Sequence, residues 1–226
     1  MKKIFVSIIL ILFLFAVSWT IWSPAIKNNK QKQLVILQPV IDKNLEIREF
    51  GKNHSNECIY QNNSFEFISD EYQDWTDENG LRPYPWGGEI FNGKVKFFLV
   101  QESYEGKWAF SMQGVNSQSY GAIAVPEFEL KPIVEDEYYY FSSWIKYDIP
   151  EGGFRLTVQF FSKESQYPQY ACFGRIISGS TKEWLNLGII VKAPKGAIKA
   201  DPIIEIIGKG TVIVDNIYFG KIEVNK

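Results

Sequence analysis

Residues Tyr138–Lys146 read YYYFSSWIK, and their alternation decides the fold class. Taken with the two-residue period of a β-strand, Tyr139, Phe141, Ser143 and Ile145 share one face, and Tyr138, Tyr140, Ser142, Trp144 and Lys146 share the other. The first set has the composition of a core. The second places three large rings beside a hydroxyl and an ammonium, an unusual face to turn toward water. Flat rings flanked by hydrogen-bonding groups suit a sugar, whose C–H faces stack on aromatics while its hydroxyls need partners. A second buried layer, with a loop over Trp144, is the alternative.

The same grammar extends in both directions. From residue 56 onward, short aromatic and β-branched runs are separated by turn clusters: NNS at 62–64, DENG at 77–80, WGG at 86–88, PEGG at 150–153, SGST at 178–181, APKG at 193–196 and GKG at 208–210. No helix-period stretch of comparable length interrupts them. The pattern predicts an all-β, two-sheet sandwich of jelly-roll type over 56–226, with no solenoid repeat. On 154–161, Phe154, Leu156, Val158 and Phe160 would face the core. Arg155, Thr157, Gln159 and Phe161 would share the opposite face with Tyr140, Trp144 and Lys146 if the two runs pair as neighbouring strands.

Upstream, Ile4–Trp22 carries no charge and follows Met-Lys-Lys. At a helical rise this stretch would cover about 28 Å, close to the apolar thickness of a bilayer. Trp19 and Trp22 stand at its far end, where interfacial indoles belong. Residues 1–22 are therefore read as a transmembrane signal anchor that exports the remainder. A cleaved signal peptide releasing a secreted protein is the rival, with Pro24 awkward in the Ser23-Pro24-Ala25 site. No cysteine follows the run, which excludes bacterial lipoprotein attachment. Residues 23–55 read as a stalk. LVILQPVI and LEIREF within it offer short strands, and Pro39 restricts the first to a sheet edge.

Charge follows this division. Residues 1–55 hold eight Lys/Arg against Asp42, Glu46 and Glu49, leaving 16 bases against 23 acids beyond, from totals of 24 and 26. A basic segment beside the apolar run fits anionic lipid, whereas an acidic domain without a basic stripe would be repelled by nucleic acid. Cys58 and Cys172 form no CxxC, and with His54 as the only histidine no thiolate–imidazole metal cluster can be built. The two cysteines either bridge after export or remain buried thiols. The sequons at Asn53 and Asn62 matter only in a host that glycosylates.

Six motifs in order resemble the family 4/9 carbohydrate-binding modules, the CenC-like domains of galactose-binding fold. These are NECIYQNNSFEF at 56–67, GKWAFSMQG at 106–114, YYFSSWIK at 139–146, FRLTVQFF at 154–161, WLNLGIIVKAPKGA at 184–197 and GTVIVDNIYFG at 210–220. Asn63 departs from the usual glycine at the opening, a position where Asn still tolerates positive φ. The resemblance implies non-catalytic binding of a polysaccharide or cell-surface glycan. It also implies a structural calcium on Glu66 and Asp215, with carbonyls near Ser64 and Lys107; the alternative is that both carboxylates satisfy turn N–H groups. It places Trp75, Trp108 and Trp184 in the core.

Within this frame Trp144 is the expected stacking platform, with Tyr140 and Lys146 beside it and Arg155 and Gln159 as hydroxyl partners. Tyr84 and Trp86, on the Pro/Gly-rich loop RPYPWGG, are expected to be exposed binding rings, and Tyr167 and Tyr170 to form a rim. No nucleophile with a histidine partner exists in the domain, and no two carboxylates stand out as a glycosidase pair. The competing function is a jelly-roll adaptor that docks an envelope protein through an apolar patch, with no sugar ligand.

Overall fold

The computed structural model describes residues 34–39, 58–60, 64–66, 68–69 and 82–223. The anchor segment 1–22, most of the stalk, Trp75, the sequons and the DENG turn lie outside the described residues. Among those described, no helix is long and apolar enough to cross a membrane, and the only helical turn noted is 3-10, Glu127–Glu129.

The strands in chain order are β1 (Val35–Leu37), β2 (Ile68–Ser69), β3 (Arg82–Pro83), β4 (Gly87–Asn92), β5 (Val95–Val100), β6 (Ala109–Gly114), β7 (Tyr120–Ala124), β8 (Lys131–Pro132), β9 (Tyr138–Ser162), β10 (Tyr170–Phe173), β11 (Ile177–Lys192) and β12 (Ala197–Ile222). Strands β9 and β12 organise everything else. They pair antiparallel from Ile222 opposite Tyr138 to Ala197 opposite Ser162. The turn clusters PEGG and GKG, expected to end strands, lie inside this ladder and face each other, Gly208 opposite Gly152. Both glycines have φ of +93°, so the backbone bends sharply without surrendering its pairing.

The bend divides each long strand between two sheets. One sheet runs β11, β9 (138–149), β12 (211–222), β6, β5. The other runs β1, β10, β9 (154–161), β12 (199–207), β7, β4, with β8 beside the first residues of β12. Tyr60 demonstrates that these layers face each other. Its hydroxyl donates to the Ala200 carbonyl while its ring lies 6.2 Å from Phe219. A straight strand would hold those two residues about 60 Å apart.

One apolar cluster fills the space between the layers. Tyr139, Phe141 and Ile145 enter it from one half of β9, and Phe154, Leu156, Val158 and Phe160 from the other, as the alternation predicts. Gly88 of β4 is seated against the Phe97 ring of β5 in the facing sheet, 2.3 Å from where a Cβ would stand. Because both halves of β9 send alternate side chains into the same core, their remaining side chains point away from each other. Tyr140, Trp144 and Lys146 therefore do not share a face with Arg155 and Gln159: the two runs are one bent strand, not neighbouring strands.

Strand β1 pairs parallel with β10 at the sheet edge, where Pro39 two residues on removes a donor that an interior strand needs. The cysteines are free. Cys58 accepts a weak bond from the Phe219 N–H in one layer, and Cys172 is buried in β10 of the other.

Candidate functional site

The outer face of the β1–β10–β9–β12–β7–β4 sheet carries an interior-like polar network on an outward surface. Glu205 projects from β12 in register with Arg155 on β9 and Ala122 on β7. Its side chain is 3% exposed. Its Oε2 accepts from Arg155 Nε at 2.5 Å and from Thr157 Oγ1 at 2.5 Å, and its Oε1 accepts from the Tyr120 hydroxyl. A buried carboxylate persists only with such donors around it.

The network fixes Arg155. Its guanidinium carbon lies 4.0 Å from the Phe173 ring centroid, and its side chain is 19% exposed. Burial alone would lower its pKa, but the Glu205 carboxylate raises it, so the charge is secure. Burial, then the bond to Glu205, pushes Tyr120 up to about 12, so it donates as a neutral phenol. Around this centre Ala122, Ala124, Ala171 and Ile203 pave the face with small or buried side chains. Phe91, 46% exposed, leans on Tyr120 at 4.8 Å between ring centroids. Half-buried Gln159 follows Arg155 along β9, opposite Asp201. Beyond Gln159, Phe161, expected on this face, is buried in the core cluster, and with Lys199 opposite it lines a cleft of about 440 Å³. From Arg155 to Gln159 the face extends about 13 Å.

Asp201 is buried, with the Val125 N–H 3.3 Å from its Oδ1. Burial raises its pKa well above the ordinary carboxylate value, and Glu89 is raised by burial as well. A folded pKa above the unfolded one means that stability is greatest below about pH 4 and falls as pH rises toward the elevated value. Asp201→Asn removes that loss. Its melting temperature should match wild type near pH 4 and exceed it at pH 8, as thermal melts across that range would record.

The structure distributes the remaining expected residues elsewhere. Trp144 is half-buried on the opposite outer face, stacked under Tyr104 at 3.8 Å and 10°. Lys146 beside it bonds Glu102 at 2.7 Å, and Tyr140 lies over Gly188 and 6.1 Å from the Tyr218 ring. Trp86 is not an exposed binding ring. It is 0% exposed and lies between Tyr60 and Phe65 at 5.8 and 6.2 Å, since β4 starts at Gly87 and draws it into the core. Tyr84 is half-buried with its hydroxyl on Glu129. Tyr167 is exposed, and Tyr170 reaches the Lys195 carbonyl. Trp184, expected in the core, is half-buried against Lys146 and Tyr104, whereas Trp108 packs at the core's edge.

Glu66 and Asp215 do come together, around the loop 103–108. Glu66 Oε1 accepts from the Lys107 and Trp108 N–H groups at 2.7 and 2.8 Å. Asp215 Oδ2 accepts from Tyr104 and Glu105 at 2.7 and 2.9 Å, and its Oδ1 from Asn216 at 2.7 Å. Burial nevertheless pushes Asp215 up to about 6. Calcium takes six to eight oxygens. Here the groups aimed at the carboxylates are N–H donors, and among the described residues no three acidic, Cys or His side chains gather into a metal cluster. As arranged, the N–H donors suffice for the pair to clasp the loop without a metal. A chelator should accordingly shift the melting temperature by no more than about 1 °C, the behaviour of a fold with no linked ligand. A fall of several degrees that calcium alone reverses would reinstate the metal.

Tyr120, Phe173, Glu205 and Tyr104 were not singled out by the sequence, and Trp184 was expected in the core and not at a site. Glu205 had a visible signal, a lone acid in the apolar run IIEII; Tyr104 had none, lying in a loop without periodicity.

No family profile and no curated protein matches the sequence. Among solved structures, the fold is similar to the enzymatically active domain of tailspike protein 4 of bacteriophage CBA120. The TM-score is 0.50 at 13% identity, covering 73% of this chain and 21% of that one. It is similar at TM-score 0.50 and 16% identity to the CBM22-1–GH10 modules of Clostridium thermocellum endo-1,4-beta-D-xylanase 10B complexed with xylohexaose, covering 71% of this chain and 28% of that one. The CBM22-1 xylan-binding domain of Paenibacillus barcinonensis Xyn10C also matches, at TM-score 0.48 and 14% identity, over 72% of this chain and 94% of that one. The architecture is a β-sandwich shared with carbohydrate-binding modules. Identities this low establish fold alone, and the chain spans well under a third of the first two proteins.

Proposed function

We propose that this domain binds a polysaccharide or cell-surface glycan without cleaving it, on the face that carries Arg155, Gln159, Tyr120, Phe91 and Phe173. Arg155 carries this reading. A buried acid and an aromatic ring fix its guanidinium before any ligand arrives, at the edge of a surface floored by small residues and walled by rings. A rigid fork of N–H donors beside aromatic faces matches vicinal hydroxyls and the C–H face of a sugar. Cleavage has no support in this network. Both oxygens of Glu205 are already engaged by donors from Tyr120, Arg155 and Thr157. A membrane-anchored, extracytoplasmic setting remains part of the proposal and rests on the sequence of residues 4–22 alone.

The test is affinity electrophoresis of the full chain, in mild detergent, through gels containing xylan, β-1,4-galactan, galactomannan or hydroxyethylcellulose. Arg155→Lys keeps the charge beside Glu205 and loses the fork. With Gln159→Ala added, the apparent affinity should fall about tenfold or more, the equivalent of 1.4 kcal/mol, while the melting temperature holds within a few degrees. Wild-type protein that no gel retards would instead favour the protein-docking adaptor.

A further inference from the structure

The aromatic cluster on the opposite outer face has the attributes of a second site. Tyr104 is stacked face to face on Trp144 and is 38% exposed. Trp184 meets Tyr104 edge-on at 6.3 Å and 67°. Lys146 Nζ lies 5.2 Å from the centroid of the Trp184 ring and 2.7 Å from Glu102, whose side chain is 57% exposed. Exposed Asn186 stands on β11 directly opposite Trp144. Three rings with a cation, an anion and an amide among them form a surface able to stack a pyranose and bond its hydroxyls.

The loop that presents Tyr104 supplies the independent observation. Four of its backbone N–H groups, those of Tyr104, Glu105, Lys107 and Trp108, are held by the carboxylates of Asp215 and Glu66. Asn216 Nδ2 adds a bond to Glu105 Oε2 at 2.8 Å. Packing alone does not need a ring that leaves more than a third of its surface in water on so firmly tied a loop. Fixing an exposed ring in advance removes ordering cost from binding.

We infer that Tyr104, Trp144 and Trp184, with Lys146, Glu102 and Asn186, form a second glycan-binding platform. The domain would then be bivalent, holding one neutral polysaccharide chain on each side of the sandwich. This inference rests on the glycan reading of the Arg155 face. The acidic balance of the residues beyond 55 disfavours phosphate-bearing polymers as its ligand.

Calorimetric titration of the full chain with a hexasaccharide cut from a retarding polysaccharide tests it. Wild type should bind two hexasaccharides per chain, Arg155→Lys/Gln159→Ala one, Tyr104→Ala/Trp184→Ala one, and the combined variant none. The Arg155→Lys/Gln159→Ala protein should also change its tryptophan fluorescence on titration, because its remaining site contains two indoles; that readout needs no truncated ring. A wild-type stoichiometry of one overturns bivalence. If the Arg155 variant abolishes that single event, the proposed face stands and only the second platform falls. If the Tyr104/Trp184 variant abolishes it, the site is the opposite face alone. Absence of any binding sinks both readings together.

Discussion

Glu205→Ala should lose about 3–5 kcal/mol of folding free energy, the usual consequence of removing one partner from a buried ion pair. For a domain of this size that corresponds to a melting temperature lower by about 10–15 °C. The cost follows from what the substitution leaves behind. Arg155 loses its salt bridge, Thr157 loses an acceptor in a fully buried position, and the Tyr120 hydroxyl loses its carboxylate. Unpaired groups in that surrounding cost more than the bonds contributed when made. Glu205→Gln, similar in volume, still offers one acceptor and should cost roughly half as much. Thermal melts of both variants decide the matter. A Glu205→Ala protein as stable as wild type would mean that water reaches this carboxylate, and the preorganisation assigned to Arg155 would go with it.

Gly208→Ala should destabilise by about 3 kcal/mol or more, a large share of the roughly 5–15 kcal/mol that ordinarily holds a domain folded. Two effects combine. A side chain at φ of +93° is strained, by about 1–3 kcal/mol. The new Cβ would also stand 2.4 Å from the Glu151 carbonyl oxygen, which is backbone of the paired strand and cannot swing away. Gly179 provides the internal control. Its φ is +95°, but nothing lies within 4 Å of the corresponding Cβ. Gly179→Ala should show the strain without the clash, so chemical denaturation of the two variants separates the terms. Equal losses would show that the contact at the bend relaxes freely.

The bend also marks where the sequence stopped being readable. Alternation in YYYFSSWIK and FRLTVQFF put Tyr139, Phe141, Ile145, Phe154, Leu156, Val158 and Phe160 on their correct side, because a period of two is a local property of an extended chain; Phe161, read as outward, is instead buried in the core cluster at the end of its run. Whether PEGG and GKG end a strand or fold it is not local. It depends on Gly152 and Gly208 meeting across the ladder, from positions far apart in the chain. Reading PEGG as a hairpin put Trp144 and Arg155 on one face, and the bend separates them. Arg155 and Gln159 could still be nominated from their own strand. Their partners could not, since Tyr120, Phe173 and Glu205 arrive from three other strands. Trp86 misled for a related reason: proline and glycine on either side announce a loop, but not which way the ring will turn.

Because β9 and β12 belong to both sheets, the two outer faces are tied together in heredity as well as in space. A one-residue insertion or deletion within either long strand would turn the side chains beyond it inside out, spoiling the core together with a face. Point changes at outward positions carry no such penalty. Such a lineage would be free to exchange the chemistry of each face residue by residue while the lengths of these two strands stay fixed. The ladder's three irregularities, between Ala197 and Lys199, Lys209 and Thr211, and Asp215 and Tyr218, are the places where a change in length is most readily absorbed.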